Sequence, residues 1–193
     1  LHHSINHIVK NKINGDIVEC GVWKGGSVMA IAFSLLQKRS VTKNIYLFDT
    51  FTGMSTPTKK DYLNGNRKKT AKKLLNEDEY LRCIANIAEV KKNVFSTNYP
   101  QKKFKFIEGD VIKTLKKNIP KKISLLRLDT DWYESTKIEL NLLFPKLSKG
   151  GVLIIDDYNT WSGCKKAVDE YFKHKKNIFF LSIDNEALIG IKF

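Results

Sequence analysis

Along this chain, short apolar runs alternate with segments whose apolar residues recur at helical spacing, and most of the runs stop at an acid. Residues 16–19 read as a short strand, and a helix over 28–38 follows behind the turn CGVWKGGS. A second strand over 44–48 stops at Asp49. A third, over 103–107, alternates apolar and polar positions and stops at Glu108-Gly109-Asp110. A helix is predicted over 77–92, where Leu81, Ile84, Ala85 and Ala88 fall at i, i+3, i+4, i+7. A short helix over 111–117 leads to a strand over 123–128. Beyond it come a helix over 133–144 stopped by Pro145, a strand over 151–155 and a helix over 163–173. Two closing strands, 178–183 and 187–191, are joined by the turn-like pair Asp184-Asn185 and read as a hairpin. An alternating βα run that ends in a hairpin predicts an α/β fold: a doubly wound, mostly parallel sheet with an antiparallel edge. One segment breaks the alternation. Residues 52–76 are polar, lysine-rich and punctuated by Gly53, Pro57 and Gly65, which predicts a structureless lid or substrate insertion.

The most informative pair of segments is LLRLDTDWYEST (125–136) and GGVLIIDDY (150–158). Each is an apolar run ending in carboxylates, Asp129 and Asp131 in one, Asp156 and Asp157 in the other. The residues between them suffice for a helical crossover, so the two strands should be parallel neighbours, with their acids meeting at the carboxyl edge of the sheet. Open α/β sheets bind ligands at that edge. Clustered carboxylate oxygens suit Mg²⁺ rather than Zn²⁺. A lone aspartate after a strand serves equally well as a helix cap or turn residue. The argument for a site rests on several of them meeting.

Length and composition bound the rest. With 193 residues, 42% of them hydrophobic, the chain fits one domain over 1–193, its first 13 residues forming an N-terminal helix or a remnant. No apolar stretch reaches the roughly 20 residues of a membrane span, and residues 1–11 hold no apolar signal core. The start without Met suggests a domain taken from a longer chain. Cys20, Cys83 and Cys164 are widely spaced and odd in number, which implies neither a disulfide framework nor a zinc site and points to a reducing, cytoplasmic setting. Lysines and arginines number 34 against 20 acids, a formal charge of +14. Because the excess is mostly lysine, scattered in pairs with little arginine, it reads as solvated surface rather than nucleic-acid recognition.

The segment GDIVECGVWKGGS (15–27) ends a strand and opens a helix. Gly21 there would let the backbone approach a ligand closely, and Ser27 lies where a helix N-terminus offers free N–H groups. The spacing matches neither a dinucleotide fingerprint nor a P-loop. Three successive strands that end in an acid (Glu19, Asp49, Asp110) suit a neutral or cationic nucleoside better than a pyrophosphate. S-adenosylmethionine is such a ligand, with a sulfonium, an ammonium and a ribose diol for Asp49 to grip.

The motifs VECGVWKGGS, YLFDTFTGM, FIEGDVIKTL, LLRLDTDWYEST, LSKGGVLIIDDY and GCKKAVDEYF occur in an order that resembles the macrocin O-methyltransferase family, over about residues 14–174. Members of that family use S-adenosylmethionine and Mg²⁺ to methylate sugar hydroxyls. The resemblance implies a Rossmann-like methyltransferase fold of seven strands in the order 3-2-1-4-5-7-6. It implies that Asp129, Asp156 and Asp157 ligate Mg²⁺, and that Glu19, Gly21, Ser27, Asp49 and Asp110 line the cofactor pocket. Asp129 is the first choice of catalytic base and Asp131 the second. Where relatives often carry DGD or DAD, this chain has Asp129-Thr130-Asp131, and the insertion 52–76 matches only at its first few residues. The expected partner is a small-molecule or saccharide acceptor, with a homo-oligomer left open.

Three other readings compete: a catechol-type or other small-molecule O-methyltransferase, a nucleic-acid methyltransferase, and a basic binding module that kept the fold without the chemistry. LDTD replaces an amine-methylating NPPY or DPPY motif, which weighs against the second; the intact acids weigh against the third. Trp132 and Tyr133 are candidates equally for stacking on a ligand and for core packing. His2, His3 and His7 are set aside as a frayed terminus, Cys20 as packing, and His174 and Lys165-Lys166 as solvated helix surface.

Overall fold

The computed structural model describes all residues, 1–193. Seven strands form one sheet: β1 (Asp16–Cys20), β2 (Ile45–Asp49), β3 (Phe104–Glu108), β4 (Ile123–Leu128), β5 (Leu147–Ile155), β6 (Ile178–Ser182) and β7 (Leu188–Lys192). Their order is β3-β2-β1-β4-β5-β7-β6. β7 alone runs against its neighbours, β5 and β6. The expected sheet and its antiparallel hairpin are both present.

Apolar runs on both faces of the central strands explain the layering, since a strand covered on each side shows no alternation. On one face, α1 (His2–Lys10), α2 (Gly26–Gln37) and α4 (Ile87–Phe95) bury Ile5, Ile8, Ile31 and Val94 against Ile17, Leu47, Leu125 and Val152. On the other face lie α5 (Val111–Thr114), α6 (Tyr133–Leu143) and α7 (Ser162–Phe172), over Val18, Phe48, Leu126 and Leu153.

Three expectations need correction. The N-terminus is not frayed. Ile5 and Ile8 are fully buried, and His7 Nε2 is 2.8 Å from the Gly150 carbonyl oxygen, so a ladder of apolar contacts ties the first helix down. The helix over 77–92 does not form as one piece. Asn86 accepts a hydrogen bond from Glu89 N (2.9 Å), a side-chain cap that starts α4 only there. Val90 and Val94 face the core, whereas Ile84 is 54% exposed. Finally, the insertion 52–76 is built rather than structureless. It carries α3 (Ala71–Glu77) and pairs Tyr62 with Thr70 and Leu63 with Trp161. β5 also starts earlier than the apolar run suggests, because its Leu147 pairs with Ile123.

Candidate active site

β4 and β5 are parallel neighbours in the register Leu128↔Ile155, which sends the next residues of both strands to the carboxyl edge together. Asp129 N donates to the Cys20 carbonyl (2.9 Å) and Asp156 N to the Leu128 carbonyl (3.0 Å), carrying the pairing one residue past the strands. Asp129, Asp156 and Asp157 each turn one oxygen into a common space, all within 4.8 Å of one another. The sequence placed these three together, and the structure does so too.

Arg127 was not anticipated and organises the cluster. Its Nη1 donates to Glu19 Oε1 (2.7 Å) and Asp129 Oδ2 (2.7 Å), and its Nη2 to Asp156 Oδ2 (2.9 Å). Burial alone would depress the guanidinium pKa, but Glu19, Asp129 and Asp156 outweigh it and hold the charge permanently. The signal was legible: a cation inside the run LLRL is rare in a buried strand unless it is paired. Even with Arg127 present the acids repel. Asp129 is raised well above the usual carboxylate range by burial, against the pull of Arg127. Asp131 is pushed up to about 7 by burial and by Asp129, and Asp157 to about 8 by burial and by Asp131. Hard oxygens that crowd and resist ionisation form a donor set that a divalent cation would relieve.

Beside this cluster, a cleft runs along the ends of β1 to β4, lined by Gly21, Asp49, Asp110, Asp129 and Thr130 and covered by Gly53-Met54-Ser55 of the insertion. Asp110 caps α5 through Oδ1 (Ile112 N, 2.9 Å), and Oδ2 makes no hydrogen bond. Asp49 is more committed: Oδ2 accepts from Val22 N (2.6 Å) and Trp23 N (3.0 Å), and Oδ1 from Phe51 N (2.7 Å). It orders both turns of the cleft while keeping part of its acceptor capacity.

Glu19 and Ser27 are not among the residues that line this cleft. Glu19 is fully buried, held by Ser27 Oγ and Arg127, and its Oε2 has no partner in the protein. A buried carboxylate oxygen left without a partner has capacity for a cationic group such as an ammonium. Gly21 is needed for packing: at φ +80°, a Cβ there would sit 1.8 Å from the Asp129 carbonyl oxygen.

Several neighbours hold this edge in shape. Thr130 Oγ1 donates to Glu139 Oε1 (2.9 Å), a fully buried acid pushed up to about 8 by burial. Asp131 takes φ +65°, and Trp132 N donates back to the Thr130 carbonyl (2.7 Å), which tightens the D-T-D turn. Trp132 and Tyr133 resolve to core positions, 2% and 4% exposed. Trp132 packs edge-on to Trp161 and donates Nε1–H to the Ser55 carbonyl (2.9 Å). Asp61, also missed, is the one acid in 52–76 and fastens the insertion: it accepts from Thr58 N and Oγ1 and from Tyr133 N at the start of α6. The histidines are not a metal cluster, since His2 and His7 are engaged by Ser34 and Gly150. Cys20 is core, and Lys165 and Lys166 pair along α7 with Asp169 and Glu170.

Several known proteins that this chain resembles are named for O-methyl transfer. Demethyldecarbamoylnovobiocin O-methyltransferase of Streptomyces niveus is 30% identical over 171 residues, covering 89% of this chain and 63% of that protein. Mycinamicin III 3''-O-methyltransferase of Micromonospora griseorubida is 28% identical over 172 residues, covering 89% and 65%. The chain thus spans a little under two thirds of these curated relatives. The solved structure of the O-methyltransferase NovP superposes with a TM-score of 0.86 at 29% identity, covering 99% of this chain and 77% of that one. The family model described as Macrocin-O-methyltransferase (TylF) matches residues 1–188. The chain therefore belongs to the macrocin O-methyltransferase family.

Proposed function

We propose that this chain is the catalytic domain of an S-adenosylmethionine-dependent, Mg²⁺-assisted O-methyltransferase acting on a sugar hydroxyl. The observation that carries the reading is the meeting of Asp129, Asp156 and Asp157 beside a cleft whose other walls carry Asp49 and Asp110. The names of the relatives support a sugar-bearing acceptor: one is named for demethyldecarbamoylnovobiocin, one for mycinamicin III and a third for a rhamnosyl-tetracenomycin.

When bound, S-adenosylmethionine supplies a methyl group on a positively charged sulfur, and Mg²⁺ supplies a positive charge that lowers a hydroxyl pKa. Asp129, Asp156 and Asp157 would hold the metal. Asp49 and Asp110 would hold the ribose and base of the donor, and Glu19 Oε2 its ammonium. With the donor bound, its methyl group would pass to the acceptor oxygen, and a carboxylate of this chain would take the hydroxyl proton. Asp129 would take that proton through Oδ1, because Arg127 fixes Oδ2 and so aims the other oxygen. Asp131 stands two residues on, in the same turn, as the group to relay it. Gly53-Met54-Ser55 line the cleft from the insertion side, where they would limit the access of water.

The test is calorimetry of S-adenosylmethionine binding, with and without Mg²⁺, followed by methyl transfer to a panel of glycosides and sugar nucleotides. The proposal expects donor binding, Mg²⁺-dependent turnover on at least one saccharide, and loss of turnover in Asp129→Ala with folding intact. Transfer to catechols alone would replace the substrate class, and undiminished turnover in Asp129→Ala would overturn the mechanism.

A further inference from the structure

The excess positive charge is not scattered once the chain is folded. Six segments lead into β1 to β6 at the amino edge of the sheet, opposite the acids: 10–15, 38–44, 100–103, 116–122, 145–149 and 173–177. Together they hold 16 of the 34 lysines and arginines and no aspartate or glutamate. None of the 16 forms an ion pair, and nearly all are exposed. Helix dipoles do not account for this, because the effect fades beyond the last turn, and the last turns of α2, α6 and α7 carry no basic residue. The face is concave. Lys12, Lys43, Lys121 and Lys122 line a groove of about 910 Å³, in which Asp16 is the one acid and Tyr46 the one aromatic, and an adjoining groove adds Lys146 and Lys149.

We propose that this amino edge is a docking face for an anionic lipid bilayer. Its charges are lysines with a single arginine, Arg39, so they act as point charges rather than as bidentate readers. The six segments contain no Phe, Tyr or Trp on which bases could stack, which disfavours single-stranded nucleic acid. At the β6–β7 end of the same edge, apolar residues project instead. Phe179 pairs with Ile191 on one face of the hairpin, and Phe193 N bonds to the Asn177 carbonyl. These three are 69%, 44% and 62% exposed. Lysines against anionic headgroups, with neighbouring phenylalanines reaching the acyl boundary, form a peripheral membrane contact. Docked this way, the protein would turn its acidic edge toward solvent and an arriving acceptor.

Vesicle flotation with about 30% phosphatidylglycerol in phosphatidylcholine, against phosphatidylcholine alone, tests the proposal at low and high salt. Binding is expected only to the anionic vesicles and should collapse at high salt. At about fivefold per lysine, the variant K121E/K122E/K146E/K149E should bind at least about a hundredfold more weakly, with methyl transfer to a soluble acceptor unchanged. F179S/F193S should weaken binding further at every salt concentration. The charge-matched variant K68E/K69E/K72E/K73E, on the insertion, should bind within about twofold of the parent chain, because its lysines lie at the other edge. Equal losses in both lysine variants, equal binding to neutral vesicles or no vesicle binding would each overturn the proposal. Tighter binding to duplex DNA than to vesicles in the same buffer would overturn it in favour of nucleic acid.

Discussion

Replacing Asp61 by Ala should loosen the insertion from the site it covers. Asp61 is 1% exposed and accepts three hydrogen bonds: Thr58 N (2.6 Å), Thr58 Oγ1 (2.8 Å) and Tyr133 N (2.8 Å). The last of these caps α6 from outside, since Trp132 at its N-cap position supplies no side-chain cap. Loss of a cap costs about 1 kcal/mol, and the Tyr133 N–H is buried, so leaving it unpaired adds about 1–2 kcal/mol. Thr58 is exposed, and water can replace its lost acceptor at little cost. The expected total is about 2–3 kcal/mol, which for a domain of this size lowers Tm by about 4–12 °C. Asp61→Asn should fall about halfway, because its Oδ1 still serves Tyr133 while its amide faces the Thr58 N–H. Gly163 offers an independent perturbation of the same contact, as a Cβ there would lie 1.8 Å from Asp61 Oδ1. Gly163→Ala should therefore be destabilising, and less so in the Asp61→Ala background than in the parent chain. Urea denaturation gives the energies, and trypsin cleavage within residues 59–69 reports opening of the insertion. A change below about 0.5 kcal/mol in Asp61→Ala, with unchanged cleavage, would refute the reasoning.

Other outcomes follow from the buried charges. Arg127→Met should destabilise the chain by about 3–5 kcal/mol, measured by denaturation, because Glu19 and Asp129 lose their counter-charge. Asp131, Glu139 and Asp157 are raised in the folded state to about 7, 8 and 8. Folded protein thus holds more protons than unfolded between the ordinary carboxylate range and pH 8. Stability of the metal-free protein should fall as pH rises from about 4 to about 8, by at most about 1.4 kcal/mol per pH unit for each group, and level off above that. Thermal melts across that range check the sign, and Glu139→Gln, which keeps the bond to Thr130, should flatten the slope. Added Mg²⁺ should raise Tm most at the alkaline end, an effect that Asp156→Asn and Asp157→Asn should each reduce and EDTA should reverse.

Most of the fold was legible because each strand of the sheet is an apolar run and each break is marked by an acid, a glycine or a proline. The acidic cluster was legible for the same reason: two apolar runs with carboxylate ends, one crossover apart, have few other ways to pair. What stayed hidden depends on contacts far apart in sequence. Asp61 reads as one acid in a lysine-rich stretch until Tyr133 is brought to it. Glu139 reads as helix surface until Thr130 turns inward above it. The helix starting at Asn86 was misplaced because apolar spacing at 81–88 outweighed a capping residue inside the window. Glu19 lies near the end of β1 and Ser27 in the first turn of α2, as the sequence indicates, but apolar spacing carries no information on depth: Glu19 is fully buried, held by Ser27 and Arg127.

On the proposed function, Asp129, Asp156 and Asp157 would hold a divalent cation that activates a sugar hydroxyl. The most direct measurement is methyl transfer from S-adenosylmethionine to an accepted glycoside, first in EDTA and then with Mg²⁺ restored, in the parent chain and in Asp156→Asn. No transfer is expected in EDTA, full recovery with Mg²⁺ in the parent chain, and little recovery in Asp156→Asn even though its donor affinity is retained. Transfer that persists in EDTA at the same rate would contradict the proposed function.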